Sequence, residues 1–331
     1  MEIIKEILIF MNLDEFLKIE INKKDTKYTS EFKKIANIVK KLSIAGTKIS
    51  RIISNPKSND LELHTGSLNN DGDITKKLDI EADRILQEAL KNLSVKWFAS
   101  EEEKEAVLIN KSGQFCICVD PLDGSSNIET NAPIGTIFGI YKVKSTSTET
   151  VLQKGEELIS SGFFVFGPRT MLFLTLGDGV IVFQLNNKNN FILMKDSLKI
   201  PKNTNELSLN FSNYEIWPDS IKKYIDNCID YDKSLNKYNM RWIGSLVADC
   251  QRILTRGGIF MYPQDKRKGY ESGRLRLVYE ANPISFIIEQ AGGLAIDGNK
   301  RILSLKPKDL HERVPLIFGS ENEIKKYINI G

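Results

Sequence analysis

Asp120-Pro121-Leu122-Asp123-Gly124-Ser125-Ser126-Asn127 places two carboxylates three residues apart, followed by a run of small residues. Carboxylate oxygens are hard ligands of the kind that Mg²⁺ or Mn²⁺ takes. Pro121 fixes φ and suits a turn or a first helical position. If a helical turn opens at Gly124, the backbone N–H groups of Gly124, Ser125 and Ser126 are free to hold an anion. Cation ligands beside an anion cradle suit metal-assisted chemistry on a phosphate ester. The same residue types also make an ordinary surface turn, so the rest of the chain must decide.

Further carboxylates tilt that choice. Asp73 and Asp79 bracket Gly72-Asp73-Ile74-Thr75-Lys76-Lys77-Leu78-Asp79, which ends a polar stretch and opens a helical pattern. Glu101, Glu102 and Glu103 follow the apolar run Val95-Lys96-Trp97-Phe98-Ala99, which reads as a short strand. A glutamate run is often only a solvated face, yet a parallel or mixed sheet would bring this strand end and the Asp120 corner to one edge, where ligands tend to bind. Glu280 ends an alternating stretch from Gly273 and precedes an apolar helical run from Asn282-Pro283 to Gly292-Gly293. Only two histidines occur, His64 and His311, far apart in sequence, which disfavours a histidine zinc site. Both read as structural or surface residues. Arg241 and Arg274 are candidates for a second phosphate, although a lone arginine serves equally well in a surface ion pair.

The elements that must hold these groups follow from periodicity. Residues 31–54 carry Ile35, Ile38, Val39 and Leu42 at helical spacing. Residues 55–73 are polar and rich in Gly and Asn, suited to a loop that closes over a site. A helix is expected over 76–93, strands over 95–99 and 115–119, and antiparallel strands over 135–144, 160–166, 171–176 and 180–185. Past residue 200, strand and helix patterns alternate over 207–211, 218–228, 244–255, 258–262, 275–279, 283–291 and 315–319. The pattern predicts an α+β first half and an α/β second half that share one cleft.

Composition is that of an ordinary globular chain: 331 residues, 41% hydrophobic, 27% charged and a net charge of +3. The near balance gives no electrostatic case for nucleic acid or a membrane surface, and the apolar runs fall short of a spanning helix. Met1 to Leu13 is amphipathic and carries no basic leader before a small-residue cleavage site. Cys116 and Cys118 lie two apart in an apolar strand, and Cys228 and Cys250 in helical patterns. Buried reduced thiols are expected, consistent with a reducing cytoplasm.

These segments, in this order, resemble class I fructose-1,6-bisphosphatase. The resemblance is carried by Gly72–Asp79, Ser100–Glu102, Asp120–Asn127, Gly135–Tyr141, Gly244–Asp249, Gly257–Pro263, Leu275–Pro283, Ala291–Gly293, His311–Arg313 and Phe318–Ser320. It runs from about residue 26 to about residue 327. The Asp-Pro-Leu-Asp-Gly element is shared with the wider lithium-sensitive sugar and inositol phosphatases. Segments after residue 240 resemble the fructose bisphosphatases alone, and the stretch from Cys228 to Asp249, with Asp232-Lys233-Ser234, is similar to the bacterial branch.

The resemblance implies a layered α-β-α-β-α sandwich, with an N-terminal subdomain over 1–199 and a C-terminal sugar-phosphate subdomain over 200–331 that share a cleft. It implies a gluconeogenic, cytoplasmic enzyme that hydrolyses the 1-phosphate of fructose 1,6-bisphosphate with two or three Mg²⁺, or Mn²⁺, and no phosphoenzyme. Its metal ligands would be Asp73, Asp79, Glu101, Glu102, Asp120, Asp123, Glu280 and the Leu122 carbonyl, with Asp73, Asp79 and Glu102 activating water. Gly124, Ser125 and Ser126 would hold the 1-phosphate. Asn210, Tyr214, Tyr262 and Arg274 would hold the 6-phosphate, with Arg241 donated across an interface of a homo-oligomer, usually a tetramer. The chain departs from the family pattern at Trp242, where Tyr is usual, and at Arg274, where Lys is usual. In the AMP region Thr26 is retained, but Lys27, Gln114, Phe115 and Lys142 are altered, so weak or altered AMP inhibition is expected. Sedoheptulose 1,7-bisphosphate, an inositol or nucleotide phosphate, or a silent sugar-phosphate sensor are the competing readings.

Overall fold

The computed structural model describes residues 11–55, 77–230 and 238–330. The expectations for the segment through Asp73, for His64, for residues 232–234 and for the first ten residues lie outside them.

Five layers stack in the order α-β-α-β-α. The outer helical layer is α1 (Leu13–Asn22), α2 (Thr26–Ser54) and α3 (Lys77–Leu90). Asn12 starts α1 with a reciprocal pair of hydrogen bonds to Glu15, satisfying two otherwise orphaned donors. In α2, Ile35, Ile38, Val39, Leu42, Ala45 and Ile49 form one buried stripe. The stripe packs on an eight-stranded sheet made of β1 (Val95–Ser100), β2 (Val107–Leu108), β3 (Phe115–Asp123), β4 (Ile134–Lys142), β5 (Leu158–Phe166), β6 (Thr170–Thr175), β7 (Ile181–Leu185) and β8 (Phe191–Lys195). The order is β2-β1-β3-β4-β5-β6-β7-β8. Only β1 and β3 run parallel; the other neighbours are antiparallel. The Asn-rich run 186–190 is the turn between β7 and β8.

Strand alternation sends Phe164 to the outer helices and Phe163 to the opposite face. There, helices α5 (Leu246–Arg256) and α6 (Asn282–Gln290) form the middle layer beneath a second sheet. That sheet is ordered β10-β9-β11-β15-β13, from β9 (Glu206–Ser208), β10 (Asn239–Met240), β11 (Ile259–Tyr262), β13 (Leu294–Ile296) and β15 (Leu316–Gly319). Its far face is covered by α4 (Asp219–Ile229) and α7 (Glu321–Ile330). A short pair, β12 (Leu275–Arg276) with β14 (Arg313–Val314), completes the topology. No helix among the described residues is long and apolar enough to cross a membrane. All four cysteines are buried with free thiols.

Three local readings change. β3 does not stop at Val119. It continues through Pro121 to Asp123, with a register shift between Asp120 and Asp123. The break in the ladder accommodates Pro121, which has no N–H to donate, and Leu122 N–H turns to Asp120 Oδ1 at 3.0 Å. The expected strand 275–279 is two residues of strand followed by a π-helical turn, Leu277–Ala281, that runs into α6. All five turn residues are buried, so the alternation was no guide to a one-sided strand. The strand expected over 207–211 is Glu206–Ser208, and the chain then enters a 3₁₀ helix at Phe211.

Candidate active site

Pairing of β1 with β3 sets Ser100 beside Val119. The next residues are Glu101 and Asp120, and Glu101 N–H donates to the Val119 carbonyl at 3.2 Å. Two carboxylate-bearing strand ends therefore emerge together. The π turn delivers Glu280 to the same place: ligand oxygens of Asp120, Asp123 and Glu280 all lie within 4.8 Å of one another. The three residues are 2%, 7% and 7% exposed, respectively.

Such crowding is unfavourable without a cation. Burial first, then Glu101, Glu280 and Asp123, pushes the Asp120 carboxyl far above the usual range. Burial and Glu101 do the same to Glu280, although Arg276 partly offsets it. Glu102 is pushed up to about 8 by burial and by Asp79 and Glu101. A hard divalent cation with oxygen ligands fits this donor set, since its charge reverses the penalty on each acid.

The carboxylates line a cavity of about 610 Å³ that also takes in Asp79, Glu101, Glu102, Leu122, Gly124, Ser125, Ser126, Tyr262 and Arg274. Gly124 adopts φ 75°, a left-handed conformation that suits glycine, and a single 3₁₀ turn, Ser125–Asn127, follows. The anticipated helical turn is thus one turn only. Asp123 is held by Ser245 Oγ at 3.0 Å and Val247 N–H at 2.9 Å, which join β3 to the start of α5. Trp242 stacks on Phe260 and meets Tyr262 edge-on. The Arg274 guanidinium lies 5.8 Å from the Tyr262 ring and 5.0 Å from Tyr270.

Not every expected residue reaches this cavity. Asn210 is exposed, and its Oδ1 accepts from Ser212 N–H, capping the 3₁₀ helix Phe211–Ile216. Tyr214 Oη donates to Asp226 instead. Arg241 is exposed and donates to the Met240 carbonyl at 2.9 Å. In the region compared with the AMP site, Thr26 opens α2, Lys34 Nζ donates to Gln114 Oε1 at 2.8 Å, Lys142 pairs with Glu31 at 2.6 Å, and Phe115 is a core residue.

Two of the buried acids that were given no role in the sequence, Asp83 and Asp249, bear on the site. Asp83 accepts from Ser100 Oγ at 2.5 Å and Gln87 Nε2 at 2.7 Å, and burial pushes it up to about 6. Its position four residues after Asp79 on α3 puts both on one helix face, a signal available from spacing alone. Asp249 accepts from Ser208 Oγ at 2.5 Å, Ile243 N–H at 3.2 Å and Gly244 N–H at 3.1 Å; burial raises it to about 6. It closes the Gly244–Asp249 motif and fixes the loop that carries Trp242.

Comparison with known proteins places this geometry. Residues 13–196 match the family model "Fructose-1-6-bisphosphatase, N-terminal domain", and residues 200–330 match its C-terminal counterpart. The chain is 46% identical over 285 residues to a class 1 fructose-1,6-bisphosphatase of a Bradyrhizobium species, covering 86% of this chain and 84% of the relative. It is 44% identical over 299 residues to the class 1 enzyme of Azorhizobium caulinodans, covering 88% and 91%. A crystal structure of Leishmania major fructose-1,6-bisphosphatase in holo form superposes with TM-score 0.88 at 32% identity, covering 97% of this chain and 98% of that one. The layered α+β architecture, the carboxylate-lined cavity and these matches together place the chain in the class I fructose-1,6-bisphosphatase family.

Proposed function

We propose that the chain hydrolyses the 1-phosphate of fructose 1,6-bisphosphate, giving fructose 6-phosphate and inorganic phosphate, the gluconeogenic direction of sugar phosphate metabolism. The observation that carries this reading is the convergence of Asp120, Asp123 and Glu280 within 4.8 Å in a cavity that also holds Arg274 and Tyr262. One group of residues suits cations and a phosphoryl group; the other suits a second, non-reacting phosphate.

Asp79, Glu101, Glu102, Asp120, Asp123, Glu280 and the Leu122 carbonyl would hold two or three divalent cations, Mg²⁺ or Mn²⁺, with Asp73 joining them. The cations would lower the pKa of bound water and neutralise charge on the phosphoryl oxygens. The backbone at Gly124, Ser125 and Ser126 would orient the phosphoryl group. Water oxygen would attack phosphorus, the bond from phosphorus to the sugar O1 would break, and the proton taken from water by a carboxylate would be returned to the leaving O1. Glu102, Asp79 and Asp73 are the acceptors we assign. No serine or cysteine nucleophile is required.

At the sugar end, Tyr262 and Arg274 would bind the 6-phosphate, with Asn210, Tyr214 and a neighbouring subunit's Arg241 completing it in a homotetramer. The exposure of Arg241 and Met240 supports the donation of Arg241 to a neighbour. We take 1–199 and 200–331 as two subdomains meeting at the cavity in a cytoplasmic enzyme, with AMP inhibition weak or altered. Incubation with fructose 1,6-bisphosphate and, separately, sedoheptulose 1,7-bisphosphate, with the sugar product identified by NMR, tests the reading. Fructose 6-phosphate as the main product supports it. Fructose 1-phosphate, or a clear preference for the seven-carbon substrate, would overturn the assignment of ends or of substrate.

A further inference from the structure

The carboxylates reach the cavity from distant parts of the chain, and one side chain ties two of their carriers together. His311 Nε2 lies 3.1 Å from the Glu103 carbonyl oxygen, and His311 Nδ1 lies 2.7 Å from Tyr279 Oη. A carbonyl oxygen only accepts, so Nε2 carries the proton. Nδ1 meets the Tyr279 hydroxyl, which can serve as donor or acceptor, so both ring nitrogens are engaged. Glu103 directly follows Glu102, and Tyr279 directly precedes Glu280. The imidazole therefore bridges the turn bearing Glu101 and Glu102 to the π turn bearing Glu280.

Both ends of this bridge are anchored. Tyr279 is fully buried and meets the His311 ring edge-on, with centroids 5.9 Å apart. Leu277 N–H donates to the Glu312 carbonyl at 2.8 Å, and Arg313 pairs with Arg276. The segment carrying His311 is thus fastened to the Glu280 turn by its backbone. Across the gap, Glu103 Oε1 accepts from Gln87 Nε2 at 2.9 Å. His311 is the element that spans from one anchored turn to the other.

We propose that His311 is a positioning residue for the cation site. The Glu103 carbonyl fixes its tautomer, Tyr279 orients the ring, and the Nε2–H holds the Glu103 backbone, which sets how far Glu101 and Glu102 stand from Glu280. The proposal rests on the reading of these acids as cation ligands. Outer-shell partners of this kind typically change metal affinity about tenfold or more when removed.

The test is Mn²⁺ binding to the full-length protein, read by electron paramagnetic resonance of free Mn²⁺, for wild type, His311→Ala, His311→Gln and Tyr279→Phe. The expected result is binding weakened about tenfold in His311→Ala and Tyr279→Phe, with the double variant no weaker than His311→Ala alone. His311→Gln, which carries an amide N–H toward Glu103, should recover most of the affinity. The KM for fructose 1,6-bisphosphate at saturating Mg²⁺ should be unchanged. Unchanged Mn²⁺ affinity in folded His311→Ala, or no recovery in His311→Gln, would overturn the proposal. Should His311→Ala fail to fold, Tyr279→Phe decides alone, since it removes one oxygen from a buried ring. Wild type that binds no Mn²⁺ overturns the cation reading together with this one. Wild type that binds Mn²⁺ but releases no phosphate overturns only the phosphatase reading, and the Mn²⁺ comparison still decides the role of His311.

Discussion

Replacing Asp120 by Asn should make the cation-free protein more stable and leave it indifferent to Mg²⁺. The two side chains have nearly the same shape, and Asn Oδ1 can still accept from Leu122 N–H, as Asp120 does at 3.0 Å. What changes is charge. Oxygens of Asp120 lie within 4.8 Å of both Asp123 and Glu280, and at an effective dielectric of about 20 each ionised pair costs about 3.5 kcal/mol. Removing one acid would relieve about 7 kcal/mol if all three were charged. The wild type has a cheaper option, to keep Asp120 protonated. From an ordinary carboxyl pKa of about 3.9 that costs about 4 kcal/mol at pH 7 and about 1.5 kcal/mol at pH 5. The smaller figure is the ceiling on the gain, so the variant should exceed wild type by up to about 4 kcal/mol at pH 7 and by much less at pH 5. Mg²⁺ at about a hundred times its Kd should stabilise wild type by about 2.7 kcal/mol and the variant hardly at all. Calorimetric melting in EDTA and in Mg²⁺ at both pH values reads all of these. A cation-free variant less stable than wild type, or equal Mg²⁺ stabilisation of the two, would refute the reasoning.

Glu102 adds to a pH dependence that the other buried acids share in sign. Its carboxyl is held up to about 8 in the folded chain against about 4.3 when unfolded, so across that window the folded state binds more protons. Urea unfolding in EDTA should therefore show stability falling as pH rises from about 4.5 to about 8, and a rise would contradict the assignment. Gly135→Ala would set a Cβ 2.0 Å from the Phe164 carbonyl oxygen and 2.5 Å from Val247 Cγ2; a loss of at least about 2 kcal/mol is expected in denaturant melts, and a neutral effect would mean that β4 and β5 are spaced differently. Asp249→Ala leaves three donors without their acceptor; it should cost at least about 2 kcal/mol and raise the KM for fructose 1,6-bisphosphate, and an unchanged KM would show that the Trp242 loop does not depend on it. Arg274→Lys removes the guanidinium contacts with Tyr262 and Tyr270; steady-state kinetics should show KM moving severalfold with kcat nearly constant, because a phosphate remote from the reacting bond contributes uniform binding.

Much of this site was legible in the residues, and the failures have definite causes. Asp120, Asp123, Glu101 and Glu280 stand out because each follows an apolar run, and the pairing of β1 with β3 brings Asp120, Asp123 and Glu101 together. The π turn at Leu277–Ala281 was not legible. Leu275, Leu277 and Tyr279 alternate with other buried residues, and a segment buried on every side carries no period that separates strand from helix. Asp83, and the role of Asp249 within its motif, escaped notice because each lies inside a helix pattern, where an acid reads as surface; only the fold reveals that Ser100 and Ser208 donate to them. His311 read as structural because its partners, Glu103 and Tyr279, are 208 and 32 residues away in sequence.

The central claim is that a buried carboxylate cluster promotes attack on a phosphate ester. Inorganic phosphate release from fructose 1,6-bisphosphate, measured with and without Mg²⁺ for wild type and Asp123→Ala, tests it most directly. The account predicts release by wild type that requires Mg²⁺ and is lost in the variant. Release that ignores Mg²⁺, or survives unchanged in Asp123→Ala, would contradict it.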